Sequence, residues 1–214
     1  MDAHLIGIHD FALFVAAGLL LNITPGPDTL YIVGRSASQG TRAGAMAALG
    51  IGAGCCIHTV GAAAGVSALV LASATAFTAV KLLGALYLVY VGVALLRSGG
   101  STQVPGAPRP PEPLPRIFVQ GLLTNALNPK VALFFVAFLP QFVAVDAPHK
   151  FIALAVLGVV FNVNGTLWNL FVAWLAARAR GGLARRARVA AWVGRITGGL
   201  MIVFGVRLAV AVRD

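Results

Sequence analysis

The chain has 214 residues, 59% of them hydrophobic and only 10% charged, with a mean hydropathy of +0.90. A soluble domain carries about 25% charged residues, so the composition excludes a water-soluble globular protein and indicates an integral membrane protein. The net charge of +10 does not mark a nucleic-acid binder, which needs its basic groups clustered on a folded polar face, whereas here they lie in the loops between apolar runs.

A helix of about 20 apolar residues crosses the roughly 30 Å of bilayer hydrocarbon. Six such runs are predicted, at 11–34, 44–71, 77–96, 117–143, 151–177 and 189–212. The stretch before the first, MDAHLIGIHD, has Asp2 and Asp10 and neither Lys nor Arg. A cleavable signal starts basic, so the first span is expected to stay in place.

Span 1 is interrupted by NITPGPDTL, residues 22–30. Pro25 and Pro27 have no N–H, and their rings clash with carbonyls one turn back. The helix is expected to open there, at Asn22, Thr24, Pro25, Gly26, Pro27 and Asp28. In lipid the freed backbone groups need protein or a water-filled cavity to satisfy them. The alternative is a simple kink that neighbouring side chains repair. Span 2 carries the small-residue run AALGIGAG, expected to let helices approach closely, the adjacent Cys55 and Cys56, and His58.

After span 3 comes RSGGSTQVPGAPRPPEPLPR, residues 97–116, whose Pro, Gly and Ser content reads as a linker. It divides the chain into a first half, 1–96, and a second, 117–214. Span 4 repeats the interruption with NALNPK, which places Asn125, Asn128, Pro129 and Lys130 at a second break. Asn162, Asn164 and Asn169 lie in span 5.

The halves align at several points: Pro25 with Pro129, Thr24 with Asn128, Lys81 with Arg195, Gly84 with Gly198 and Tyr90 with Phe204. The fold class expected is an all-α membrane protein of six helices, a 3+3 inverted repeat with spans 1 and 4 broken at their prolines, as in many transporters. Arg35, Arg42, Arg97, Arg109, Arg116, Arg178, Arg180, Arg185, Arg186 and Arg188 fall on one side, against Lys81, Lys150 and Arg213 on the other. By the positive-inside rule the Arg-rich side is cytoplasmic and both termini are expected outside.

TPGPDTLYIVGRSASQG, continuing through span 2, and QGLLTNALNPKVALFFVAFLPQFV resemble the hallmark regions of the lysine exporter and homoserine/threonine resistance (LysE/RhtB) family of bacterial inner-membrane amino-acid exporters. The resemblance covers essentially the whole chain. It implies export of amino acids or close derivatives driven by the proton gradient, with the proline motifs as its site, and no cofactor. At the position after PGP, where the family is more typically neutral, this chain has Asp28.

The expected mechanism seats the substrate carboxylate at a broken-helix N-terminus, where unpaired N–H groups carry partial positive charge, and the ammonium near Asp28 or an Asn carbonyl. Asp28 and Lys130 are expected to pair, for binding or for folding alone, and Lys130 has the further option of snorkelling to an interface. Asp28 and His58 are the candidates for proton coupling, His58 otherwise being structural. No nucleotide-binding loop is present, so an ion gradient is expected to drive export. A charge crossing 100 mV releases about 2.3 kcal/mol, more than the roughly 1.4 kcal/mol of a tenfold ratio. Lipid, substrate and protons are the expected partners, no nucleic acid is, and the oligomeric state, a homo-oligomer included, is left open. The rivals are a metal-ion exporter, thinly provided with ligands by Asp28 and His58, and a thiol-redox electron carrier using Cys55 and Cys56, a pair that lies away from both breaks.

Overall fold

The computed structural model describes residues 7–66 and 111–178, with isolated positions between 82 and 97 and between 199 and 206. The spans at 77–96 and 189–212, the termini, most of the linker and the match of residues 81–92 to 195–205 lie outside the described residues. What is described is helical: α1 Phe11–Ile23, α2 Pro27–Gln39, α3 Thr41–Gly61, α4 Leu114–Ala126, α5 Pro129–Leu133 and α6 Lys150–Arg178. A π turn, Ala62–Val66, extends α3, and α5 runs on through a π turn, Phe134–Phe138, into a 3-10 turn, Leu139–Phe142.

Two stretches, Thr41–Gly65 and Lys150–Arg178, are long and apolar enough to cross a membrane unaided. Two bent pairs reach that length only together: α1 with α2, bent by 53°, and α4 with Lys130–Phe142, bent by 49°. Pro27 at the first position of α2 and Pro129 at the first position of α5 sit where a helix has no use for the missing N–H. Between α2 and α3 the chain reverses on Gly40, whose φ of 90° is open to glycine and strained for other residues.

The helices are held close by small residues. A Cβ at Gly50 of α3 would overlap the Phe118 carbonyl of α4, and one at Gly121 of α4 would lie 2.6 Å from the Ala47 carbonyl oxygen of α3. Such backbone approach is how membrane helices gain dispersion contact, since lipid supplies no hydrophobic drive between them. Around this seam two cores form at opposite ends. One stacks Phe14, Phe134, Phe135, Phe138, Phe142 and Phe161, and there the Gly7–Ile8 strand-like stretch pairs with Val143 and Ala144. The other is built from Tyr31, Ile32, Ala43, Ala47, Ala48, Ile51, Ile117 and Ala173. At that second end the structure corrects the expected place of Arg35: it is no loop residue but a 3% exposed side chain of α2, paired with Glu112.

Candidate functional site

Each proline removes one N–H that the helix before it would use, and the unanswered carbonyl can be named. The partner of the Leu21 carbonyl four residues on is Pro25, and the partner of the Asn125 carbonyl is Pro129. The structure answers both with side chains. Lys130 Nζ donates to the Leu21 carbonyl at 3.1 Å and to the Thr24 carbonyl at 3.0 Å. His58 Nε2 donates to the Asn125 carbonyl at 2.9 Å, and the Asn128 N–H reaches the same oxygen at 2.8 Å. A carbonyl only accepts, so the imidazole proton is on Nε2.

Lys130 therefore finishes α1, a cation at a helix C-terminus where the backbone dipole favours one. This corrects the expected pairing with Asp28: among the described residues the ion pairs are His9–Asp10, Arg35–Glu112 and Arg116–Glu112. Asp28 instead sits in the first turn of α2, at the positive end of that helix, and its Oδ2 accepts from Asn125 Nδ2 at 2.8 Å. The carboxylate of Asp28 thus occupies the neighbourhood of one helix N-terminus. At the other, Asn128 Oδ1 caps α5 by accepting from the Lys130 N–H at 3.0 Å.

A small pocket, with about 430 Å³ of empty space once its open mouth is counted, lies between the breaks, α3 and α6. Asn22, Asp28, Asn125, Lys130 and Asn162 line it. Thr24 is fully buried, with its hydroxyl on the Leu20 carbonyl at 2.6 Å. Pro25 and Gly26 form the first break, with Pro27 opening α2 beyond it. His58 stands behind Asn125, and Asn164 is not part of the lining.

The sequence reading missed several lining residues. Thr166 lies four residues after Asn162 and three before Asn169, both named above, on one face of a helix, and Thr166 Oγ1 donates to Asn162 Oδ1 at 3.3 Å. Asn162 Nδ2 in turn donates to the Gly52 carbonyl at 3.0 Å. That spacing was the available signal. Leu21, Ile51, Cys55, Val131 and Phe161 supply an apolar wall, and nothing in an unaligned sequence separates them from other core residues. A Cβ at Gly165 would lie 2.8 Å from Asn22 Oδ1, so this glycine makes room for the Asn22 amide. Cys55 is buried, whereas Cys56 is exposed and donates to the Gly52 carbonyl at 3.5 Å.

Several polar atoms here are buried without a hydrogen-bond partner: Asn22 Nδ2, Asp28 Oδ1, Asn125 Oδ1 and Asn128 Nδ2. Buried polar groups are nearly always paired, and three of these four belong to residues that line the pocket, Asn22, Asp28 and Asn125. Two are donors and two are acceptors.

At the Arg35 end a second polar group lies apart from the pocket. Arg35 Nη2 donates to Glu112 Oε1 at 2.7 Å and to Gln120 Oε1 at 2.9 Å, and Tyr31 donates to Gln120 Oε1 at 2.9 Å. The hydrogen bond from Arg35 holds the Glu112 carboxyl below the usual carboxylate range, with Arg116 adding to the effect.

Comparison with known proteins agrees with this architecture. A membrane protein of Pseudomonas aeruginosa is 32% identical over 210 residues, 96% of this chain and 97% of its own. The leucine efflux protein of Salmonella typhimurium is 28% identical over 203 residues, 95% and 96% of the two chains. A membrane protein of Bacillus subtilis is 27% identical over 208 residues, 94% and 98% of the two. No solved structure matches. The sequence signature of the LysE type translocators spans residues 19–212, so the chain belongs to the LysE type translocator family.

Proposed function

We propose that the chain is a secondary-active exporter of neutral amino acids in a bacterial cytoplasmic membrane, driven by proton antiport. The observation that carries this reading is the set of unanswered atoms at the two breaks. An amino-acid zwitterion brings an ammonium that needs acceptors and a carboxylate that needs donors. Asp28 Oδ1 and Asn125 Oδ1 are the acceptors without a partner, and Asn22 Nδ2 is a donor without one. Lys130 adds charge for the carboxylate, having spent two of its three N–H groups on carbonyls. This revises the expected seat of the substrate carboxylate, because Asp28 and Asn128 already attend the two helix N-termini.

The charge inventory supports a neutral substrate side chain. Asp28 and Lys130 are the charged residues lining the pocket, one for each end of a zwitterion. A cationic or acidic side chain would enter with no counter-charge, at a cost that low dielectric makes large. The apolar wall suits an aliphatic side chain, in keeping with the relative named for leucine efflux.

In this reading each bent pair is one broken span. With the predicted spans at 77–96 and 189–212 the chain makes a 3+3 inverted repeat. Arg35, Arg116 and Arg178 mark the cytoplasmic end, and the Gly7–Ile8 and Val143–Ala144 pairing marks the outer one. Exposed apolar side chains of α6, such as Val159, Val163 and Leu167, face lipid. Proton coupling falls to Asp28 and His58, which the two sides of Asn125 connect. Rocking of one half against the other exposes the pocket alternately. The test compares the amino acids in the medium of cells with and without the protein. Neutral aliphatic amino acids are expected to accumulate outside, and a medium unchanged in every amino acid overturns the reading.

A further inference from the structure

The buried ion cluster at the end of α2 takes no part in binding as described, yet it is the most elaborate polar group among the described residues. Its bonds join α2 to the segment Glu112–Gln120. Besides the two bonds from Arg35 to Glu112 and Gln120, Gln39 Nε2 donates to the Glu112 carbonyl at 2.9 Å, and the Tyr31 hydroxyl lies 3.0 Å from the Ile117 carbonyl, its one proton shared between that oxygen and Gln120 Oε1. Gln120 Nε2 closes the ring by donating to Glu112 Oε2 at 3.0 Å. The Arg35 side chain is 4% exposed and that of Glu112 20%.

Its position relative to the pocket gives it a role. The polar face of α6, Asn162 to Thr166 to Asn169, runs from the pocket toward this end. One turn beyond Asn169 comes Ala173, fully buried in the core that holds Ile32 and Ala43. A Cβ on Gly44 would overlap Ser36 Oγ and lie 2.9 Å from Ala173 Cβ, so α2, α3 and α6 touch there. In the other direction Phe161 and the stacked phenylalanines back the pocket.

The two seals differ in what opening demands. Parting the phenylalanine stack exposes apolar surface, which water penalises in proportion to area. Parting the Arg35 cluster exchanges hydrogen bonds within the protein for bonds to water, a nearly balanced exchange, which the phenylalanine stack does not offer. Resting on the transporter reading above, we propose that the Arg35–Glu112 cluster is the latch of the cytoplasmic gate, which parts to let the amino acid into the pocket.

The test places a single cysteine at the pocket, Asn169→Cys, in a Cys55→Ala, Cys56→Ala background, and measures its labelling by a membrane-impermeant maleimide from each side of vesicles of known orientation. Glu112→Gln is expected to raise the labelling rate from the Arg35 side at least tenfold, with no rise from the other side. Arg35→Glu combined with Glu112→Arg is expected to bring the rate back toward that of the parent. Should Glu112→Gln strand the buried guanidinium and fail to fold, Arg35→Gln with Glu112→Gln removes both charges and leaves neither unpaired; it is expected to show the same rise. Labelling needs no substrate, so an error about the amino acid leaves this result standing. A folded variant lacking the pair and labelled at the parent rate from the Arg35 side overturns the latch.

Discussion

The two proline breaks share a defect and are repaired in different ways. Pro25 leaves the Leu21 carbonyl without its N–H in the first, and Pro129 leaves the Asn125 carbonyl without its own in the second. The first is answered across the molecule by Lys130, the residue that follows the second proline. The second is answered by the His58 imidazole from α3 and by the local N–H of Asn128. The first break therefore depends on the second for its completion, while the second is supported from α3 and from within. That asymmetry places Lys130 at the Asp28 end of the pocket, with no ion pair between the two among the described residues.

The largest expected effect follows from the borrowed cation. Lys130→Met strands the Leu21 and Thr24 carbonyls together and should lower stability by on the order of 3 kcal/mol, read as a fall in thermal unfolding temperature in detergent. Pro25→Ala restores the N–H that the Leu21 carbonyl lost, so in that background Lys130→Met should cost about 1 kcal/mol less. Equal costs in both backgrounds would mean that Lys130 does not stand in for the missing N–H. Asp28→Asn should not restore the bonds lost in Lys130→Met, because Lys130 spends them on the Leu21 and Thr24 carbonyls and not on Asp28.

A smaller effect is expected at the second break. His58→Leu leaves the Asn125 carbonyl with the Asn128 N–H still on it and should cost about 1 kcal/mol. His58→Gln retains a donor and should restore most of that. If export by His58→Gln keeps the pH profile of the parent, coupling belongs to Asp28 and His58 is a positioning residue for Asn125.

Hydrophobic length made the long apolar helices legible: α6, at Lys150–Arg178, lies within one residue of the run at 151–177 read from the sequence, while the runs at 77–96 and 189–212 fall outside the described residues. The prolines showed where two helices need outside help, since a missing N–H is a property of the residue itself. What answers it is not a local property. The choice of Lys130 for α1 depends on how two distant segments pack, and adjacency to the breaks suggested a pairing with Asp28 that the fold does not make. Arg35 misled for the same reason. A basic residue near a span end reads as a loop charge until the fold brings the chain's one glutamate, Glu112, against it. The polar face of α6 was legible in principle from its helical spacing, whereas the apolar wall of the pocket uses residue types common throughout the chain.

The central claim is that the pocket between the breaks binds both charges of a zwitterion. It is tested most directly by the thermal shift of the purified protein with leucine, with leucine amide, which lacks the carboxylate, and with 4-methylpentanoic acid, which lacks the amine. A ligand that binds the folded state alone raises the unfolding temperature in step with its occupancy. Leucine is expected to stabilise the parent, each one-charge analogue to do so far less, and Asp28→Asn to lose the response to leucine while remaining folded. A shift with 4-methylpentanoic acid equal to that with leucine, or an undiminished leucine shift in Asp28→Asn, would contradict the account.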